Sequence, residues 1–258
     1  MGTYIENPKT KGSGIVCCIP QKGRCPGGCK DCFFQSGRSY LEPLWKNTPN
    51  MPSLEYVGDR VVRVNDGNDS NHCRELVLER TREYPRRFYN TSSPDDLEGY
   101  GAPVVLTLNP GEMTDEDFHR PPGDMPVPKN LMFVRVRTNM WNLHKRRGEP
   151  GVHGGVVDGV VDMWTERDVP VVLTFMAYHD CIPVRKRPDG YEYRWRTLNP
   201  YYAITTAAWR RVMARYENNP LVHSCGSEGI SSACRHCGNC LREYFATMER
   251  MRNPEGEE

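Results

Sequence analysis

The chain has 258 residues, 38% of them hydrophobic and 26% charged, with a formal net charge of +1. That length supports one large core, or one core with a small appendage. The charge balance excludes a dedicated polyanion binder, though not a local basic patch, and no apolar run approaches the ~20 residues of a membrane span. The mean hydropathy of −0.69 concentrates the core in a few segments. Met1 to Ser13 lacks the apolar centre of a signal peptide. The chain begins Met-Gly, but Glu6 stands where myristoylation requires Ser or Thr. The expectation is a soluble cytoplasmic protein.

In chain order, residues 1–13 read as a polar arm. Gly14-Ile15-Val16-Cys17-Cys18-Ile19-Pro20 is a first strand. It runs into Gly23-Arg24-Cys25-Pro26-Gly27-Gly28-Cys29-Lys30-Asp31-Cys32, which carries three cysteines at Cys-x3-Cys-x2-Cys spacing around a Pro-Gly-Gly turn. Residues 36–56 are irregular, with at most one helical turn. Arg60 to Asn65 is a second strand, ended by the turn residues Asp66-Gly67-Asn68-Asp69-Ser70. Helical spacing of Cys73, Leu76, Val77, Arg80 and Tyr84 predicts a helix from about Asn71 to Glu83, capped by Ser70 or Asn71.

Arg86 to Thr91 is a weak third strand, and Pro103 to Leu108 a fourth, ending at Asn109-Pro110-Gly111. Leu131 to Arg137 is a fifth, ending at Thr138-Asn139. A charged loop follows over 142–155, then a helix to about Arg167. Pro170 to Ala177 is a sixth strand, ending at Tyr178-His179-Asp180. Residues 182–200 read as a basic, aromatic hairpin or long loop turning at Pro188-Asp189-Gly190. A helix is predicted from Pro200 to Asn218, and a closing helix from Leu241 to Arg252 before an acidic tail. Continuous apolar runs suit parallel strands buried on both faces, and alternating helices give repeated βα units. The expected fold is α/β: a partial (β/α)6 TIM-like barrel over 14–218, with a small Cys-rich extension over 219–258.

Eleven cysteines cluster mainly at 17–32 and 225–240, which reads as metal binding. Three thiolates leave one position short of a closed tetrahedral zinc site or a fully Cys-ligated [4Fe–4S] cluster. Zinc with Cys17 or Cys18 as fourth ligand is the alternative. Cys225-x8-Cys234-x2-Cys237-x2-Cys240 supplies four thiolates, enough to close an iron–sulfur or zinc site, with His223 and His236 as substitute ligands.

The Cys25, Cys29, Cys32 loop, followed by Phe33 and Phe34, resembles the signature loop of the radical S-adenosylmethionine enzymes. The resemblance implies a [4Fe–4S] cluster on these three cysteines, with S-adenosylmethionine on the fourth iron. Reductive cleavage would then yield a 5′-deoxyadenosyl radical that takes hydrogen from an unidentified, possibly macromolecular substrate. It also implies a flavodoxin- or ferredoxin-like electron donor. The Cys-x2-Cys-x2-Cys part of the second group resembles half of a bacterial ferredoxin run, so Cys225, Cys234, Cys237 and Cys240 read as an auxiliary [4Fe–4S] site, or a zinc site. The family usually carries Gly-Gly-Glu after the second strand; here Asn65, Asp66, Gly67 and Asn68 stand there. Asn109, Arg137 and Asn139 occupy the other cofactor positions at strand ends, and Tyr178, His179 and Asp180 the substrate rim. Two further readings compete with this one. A zinc-stabilised nucleic-acid-binding protein is supported by Arg185-Lys186-Arg187, Tyr191, Tyr193, Arg194, Trp195 and Arg196. A two-cluster electron carrier would not need so long a βα framework.

Overall fold

A computed structural model describes residues 3–23, 25–29, 32, 40–41, 49–110, 126–138, 155–177, 190–195, 201–226 and 234–253. Asn139, Tyr178, His179, Asp180, Arg185 to Asp189 and Arg196 lie outside them, as does most of the charged stretch 142–155.

The backbone forms an open, strongly curled parallel sheet of seven strands, a partial TIM-like barrel. Its strands are β1 (Ile15–Cys18), β2 (Val61–Val64), β3 (Arg87–Thr91), β4 (Val104–Leu108), β5 (Leu131–Thr138), β6 (Val171–Phe175) and β9 (Val222–Ser224). They lie side by side in that order. Most of them read as unbroken apolar runs because both faces are covered: all four residues of β1 are buried, as are Val171, Val172 and Leu173 of β6. β9 breaks this rule. Val222-His223-Ser224 has one apolar residue, too weak a signal for periodicity, and it joins the edge through Val171↔Val222 pairing.

Contacts divide the chain into two compact units. The first comprises Met1–Thr107, Pro128–Phe133 and Ser232–Glu258. In it β1, β2, β3 and β4 pair in parallel, with Ile15↔Val61, Val62↔Arg87 and Tyr89↔Val104 in register. Phe88 and Tyr89 are fully buried. The short α1 (Leu54–Val57) is capped by the Ser53 hydroxyl, which accepts from the Tyr56 N–H at 3.2 Å. Helix α2 (Arg74–Thr81) starts later than its spacing predicts. Cys73 takes a left-handed backbone (φ 54°) and occupies the cap position, without a side-chain cap. The unit is completed by α5 (Cys234–Cys237) and α6 (Asn239–Arg252), separated by Gly238 at φ 71°. Arg250 pins α6 to the start of β5, donating to the Lys129 and Leu131 carbonyls at 3.0 and 2.6 Å.

The second unit comprises Leu108–Val127 and Val134–Ser231. In it β6 pairs with both the C-terminal part of β5 and β9. Helix α3 (Gly155–Thr165) buries Val157, Val160, Val161 and Trp164. The antiparallel hairpin β7 (Tyr191–Arg194) and β8 (Tyr201–Ile204) pairs Tyr193 with Tyr202. The turn expected at Pro188-Asp189-Gly190 falls mostly outside the described residues. The helix predicted over 200–218 is shorter: β8 takes its first residues, and α4 covers Thr206–Met213. Thr205 stops it N-terminally, its hydroxyl accepting the Ala208 N–H at 3.2 Å.

Candidate functional site

The first unit gathers polar chemistry where β1, β2 and β3 end. After β1, Gln21 is 1% exposed. Its Nε2 donates to the Asp69 and His72 carbonyls, both at 2.9 Å. Two carbonyl acceptors fix which end of that amide is nitrogen, so Oε1 is the free end, buried and without a partner.

After β2, Asn65 is 2% exposed and holds φ at 61°. Such a backbone is rare outside glycine, though Asn tolerates it best. Its Nδ2 donates to the Ser70 hydroxyl at 3.0 Å, and its Oδ1 has no partner. The loop between them is tightly tied. The Asp69 carboxylate accepts from the Thr91 hydroxyl, the Ser92 N–H and the Asn71 N–H, each at 2.8 Å, and from the Ser92 hydroxyl. The Asn90 amide donates to the Val64 carbonyl at 2.9 Å. Gly67 and Asn68 belong to the same turn, where the Asn68 side chain accepts the Asp69 N–H at 2.9 Å.

Asp66 turns inward. Its side chain is 1% exposed and lies 3.5 Å from Arg63. The Asn7 amide donates to it at 2.6 Å, and the Tyr40 hydroxyl at 3.3 Å. Arg63 also approaches Cys234 Sγ at 4.0 Å. Burial opposes the Arg63 charge, but Cys17, Cys234, Asp66 and Cys240 around it overcome that and hold the guanidinium above its usual range. Burial pushes the Cys17 and Cys18 thiols well up. Tyr4 OH donates to the Cys17 carbonyl at 2.8 Å. The cluster is a buried clasp between the N-terminal arm, β2 and α5.

The cysteines do not form the centres that their spacing predicts. Among the described residues, no group of three or more His, Cys, Asp or Glu is placed to hold a metal ion. No disulfide joins the ten described cysteines. Cys25 and Cys29 flank Gly27. Burial pushes the Cys25 thiol up, while the Gly27 and Asp69 backbone N–H groups pull it down. Cys29 Sγ donates to the Gly27 carbonyl at 3.9 Å. Cys32 packs, with Ile5 and Tyr40, against the buried Ile19–Leu41 pair. Cys25 and Cys29 thus share the Gly27 turn, while Cys32 sits against the Ile19–Leu41 pair. In the second group, Cys225 follows β9 in the second unit, its N–H donating to the Leu173 carbonyl at 2.8 Å. Cys234 and Cys237 lie on α5 and Cys240 on α6, and Cys234 is drawn to Arg63.

This corrects several expectations. The resemblance to the radical S-adenosylmethionine enzymes does not extend to a cluster-holding site on Cys25, Cys29 and Cys32. The radical enzyme, its [4Fe–4S] cofactor and S-adenosylmethionine lose their basis, and so does the auxiliary [4Fe–4S] cluster. The zinc alternative fails for the same reason. Of the other cofactor candidates, Arg137 donates from Nε to Met176 Sδ at 3.3 Å, and Asn109 Nδ2 is buried without a partner. Gln21 is absent from the sequence expectations, and Asn65 stands in them only as the first residue of the turn after the second strand. Two amides at strand ends were the available signal, masked by the denser cysteine pattern.

No protein-family model, curated protein or solved structure matches the chain.

Proposed function

We propose that the first unit binds a small polar ligand bearing N–H or O–H donors, at the C-terminal ends of β1 and β2. The observation that supports this is the pair of unpartnered amide oxygens, Gln21 Oε1 and Asn65 Oδ1, in buried side chains. A buried acceptor left unsatisfied costs about 1–3 kcal/mol, so each is unfavourable in the free protein and gains on meeting a donor. The loop that begins at Asn65, to which the Gln21 amide is hydrogen-bonded, is cross-linked through Asp69, Thr91 and Ser92, so little ordering entropy would be lost on binding. Parallel α/β sheets bind ligands at strand C-termini, which favours this end by architecture.

The test is a thermal-shift panel of amino acids, nucleosides and monosaccharides, followed by calorimetry on any hit. A hit is expected to lose at least about tenfold in affinity in Gln21→Leu, corresponding to about 1.4 kcal/mol. Asn65→Gly, which relieves the backbone while removing Oδ1, should weaken it similarly. A hit that binds both variants as tightly as the parent, or a panel with no hit, counts against the reading. The proposal concerns binding; no residue is assigned a chemical step.

A further inference from the structure

A second feature lies at the opposite end of the same strands. Pro85 and Arg86 lead into β3, and beside them the last two turns of α6 line a groove of about 650 Å³. That volume falls within the range that holds small ligands. Its apolar side is Tyr244, Phe245 and Met248. Tyr244 is 2% exposed, wedged between Phe88 (ring centroids 6.4 Å) and Phe245 (5.3 Å, edge-on). Phe245, the next residue on α6, remains 53% exposed and offers its ring to the groove.

The charged side of the groove holds Arg86 and Arg252 against Glu249 alone. Arg86 is held from below, its Nη1 donating to the Asp59 carbonyl at 2.8 Å. The field there is positive: Arg86, Arg87 and Arg252 all act on the buried Tyr244 hydroxyl, opposing the rise that burial causes. An aromatic face beside guanidinium groups suits a ligand with a flat apolar body and an anionic head, since Arg pairs with carboxylates bidentately and stacks on rings.

We infer that this groove binds a small aromatic carboxylate, its ring on Phe245 and Met248 and its head on Arg86 and Arg252. The site is independent of the strand-end amides and stands whether or not those bind a ligand.

The test uses 2-naphthoate as probe in isothermal titration calorimetry, with the neutral 2-naphthalenemethanol as its charge-free counterpart. Saturable 1:1 binding of the carboxylate is expected, at least about tenfold tighter than the alcohol. Arg252→Gln, a change in an exposed last turn, should abolish that preference while leaving the alcohol unaffected. Phe245→Ala should weaken both probes together. Gln21→Leu should change neither. No saturable binding, equal affinity for acid and alcohol, or an unchanged preference in Arg252→Gln would each overturn the assignment. Circular dichroism melts of each variant separate a lost site from a lost fold.

Discussion

Two cysteine-rich stretches, Cys25 to Cys32 and Cys234 to Cys240, share the Cys-x2-Cys spacing and share almost nothing else. The first is a loop bent by Gly27 and Gly28: Cys25 and Cys29 lie against that turn, and Cys32 packs on the Ile19–Leu41 pair. The second begins as a helical turn, breaks at left-handed Gly238, and resumes as α6. Its Cys234 turns to a buried arginine of β2. Spacing limits how far apart two sulfurs can be. Backbone direction decides where each Cβ aims. The two stretches have similar reach and different aim, and neither converges on a centre.

The comparison can be broken most forcefully at Arg63, the residue that joins the second stretch to the sheet. Arg63→Met removes the cation facing Asp66, whose carboxylate is buried. Stranding a buried charge costs about 3–5 kcal/mol, and a loss of that size is expected in urea unfolding. Arg63→Lys keeps the charge and should recover part of it. A loss below about 1 kcal/mol would show that the Arg63–Asp66 clasp does not hold the unit together.

A smaller contrast separates buried from loop thiols. Cys17→Ser places a hydroxyl where the structure has a fully buried sulfur, at a cost of about 1–3 kcal/mol. The pair Cys25→Ser and Cys29→Ser, in the partly exposed loop, should stay within about 0.5 kcal/mol. If the loop pair proved the costlier change, those two sulfurs would be doing structural work that their surroundings do not show.

The pH dependence gives the gentlest test. Burial raises the Cys17, Cys18 and Cys25 thiols above their unfolded values. In the unfolded chain a thiol ionises near ~8.5, so above that pH the native state holds more protons than the unfolded one. Stability is then undiminished below ~8.5 and falls as pH rises toward the native values. Urea midpoints at neutral and alkaline pH check this, and Cys17→Ser should flatten the slope. A midpoint rising with pH would contradict the assignment.

The sheet was legible because its signal is collective. Runs such as Val171-Val172-Leu173-Thr174-Phe175 identify a two-sided buried strand without help from neighbours. β9 was not, since one valine among polar residues becomes a strand only through pairing with β6. The 200–218 segment misled because Tyr201 to Ile204 continues a helical stripe on paper, while pairing with β7 claims it as a strand. The candidate site was hidden for a related reason. Gln21 and Asn65 matter through oxygens that lack partners, a property that exists only after folding. Asp66 stood out in the sequence, yet folding turns it toward Asn7, Tyr40 and Arg63. No helix among the described residues is long and apolar enough to cross a membrane.

The difference between spacing and aim is tested most directly by metal content. Purify the chain anaerobically, reconstitute it with iron and sulfide, and compare it by elemental analysis with the Cys25→Ser, Cys29→Ser, Cys32→Ser triple variant. Trace iron and zinc are expected, indistinguishable between the two proteins. Stoichiometric iron or zinc in the parent that the triple variant loses would contradict the arrangement described for these cysteines.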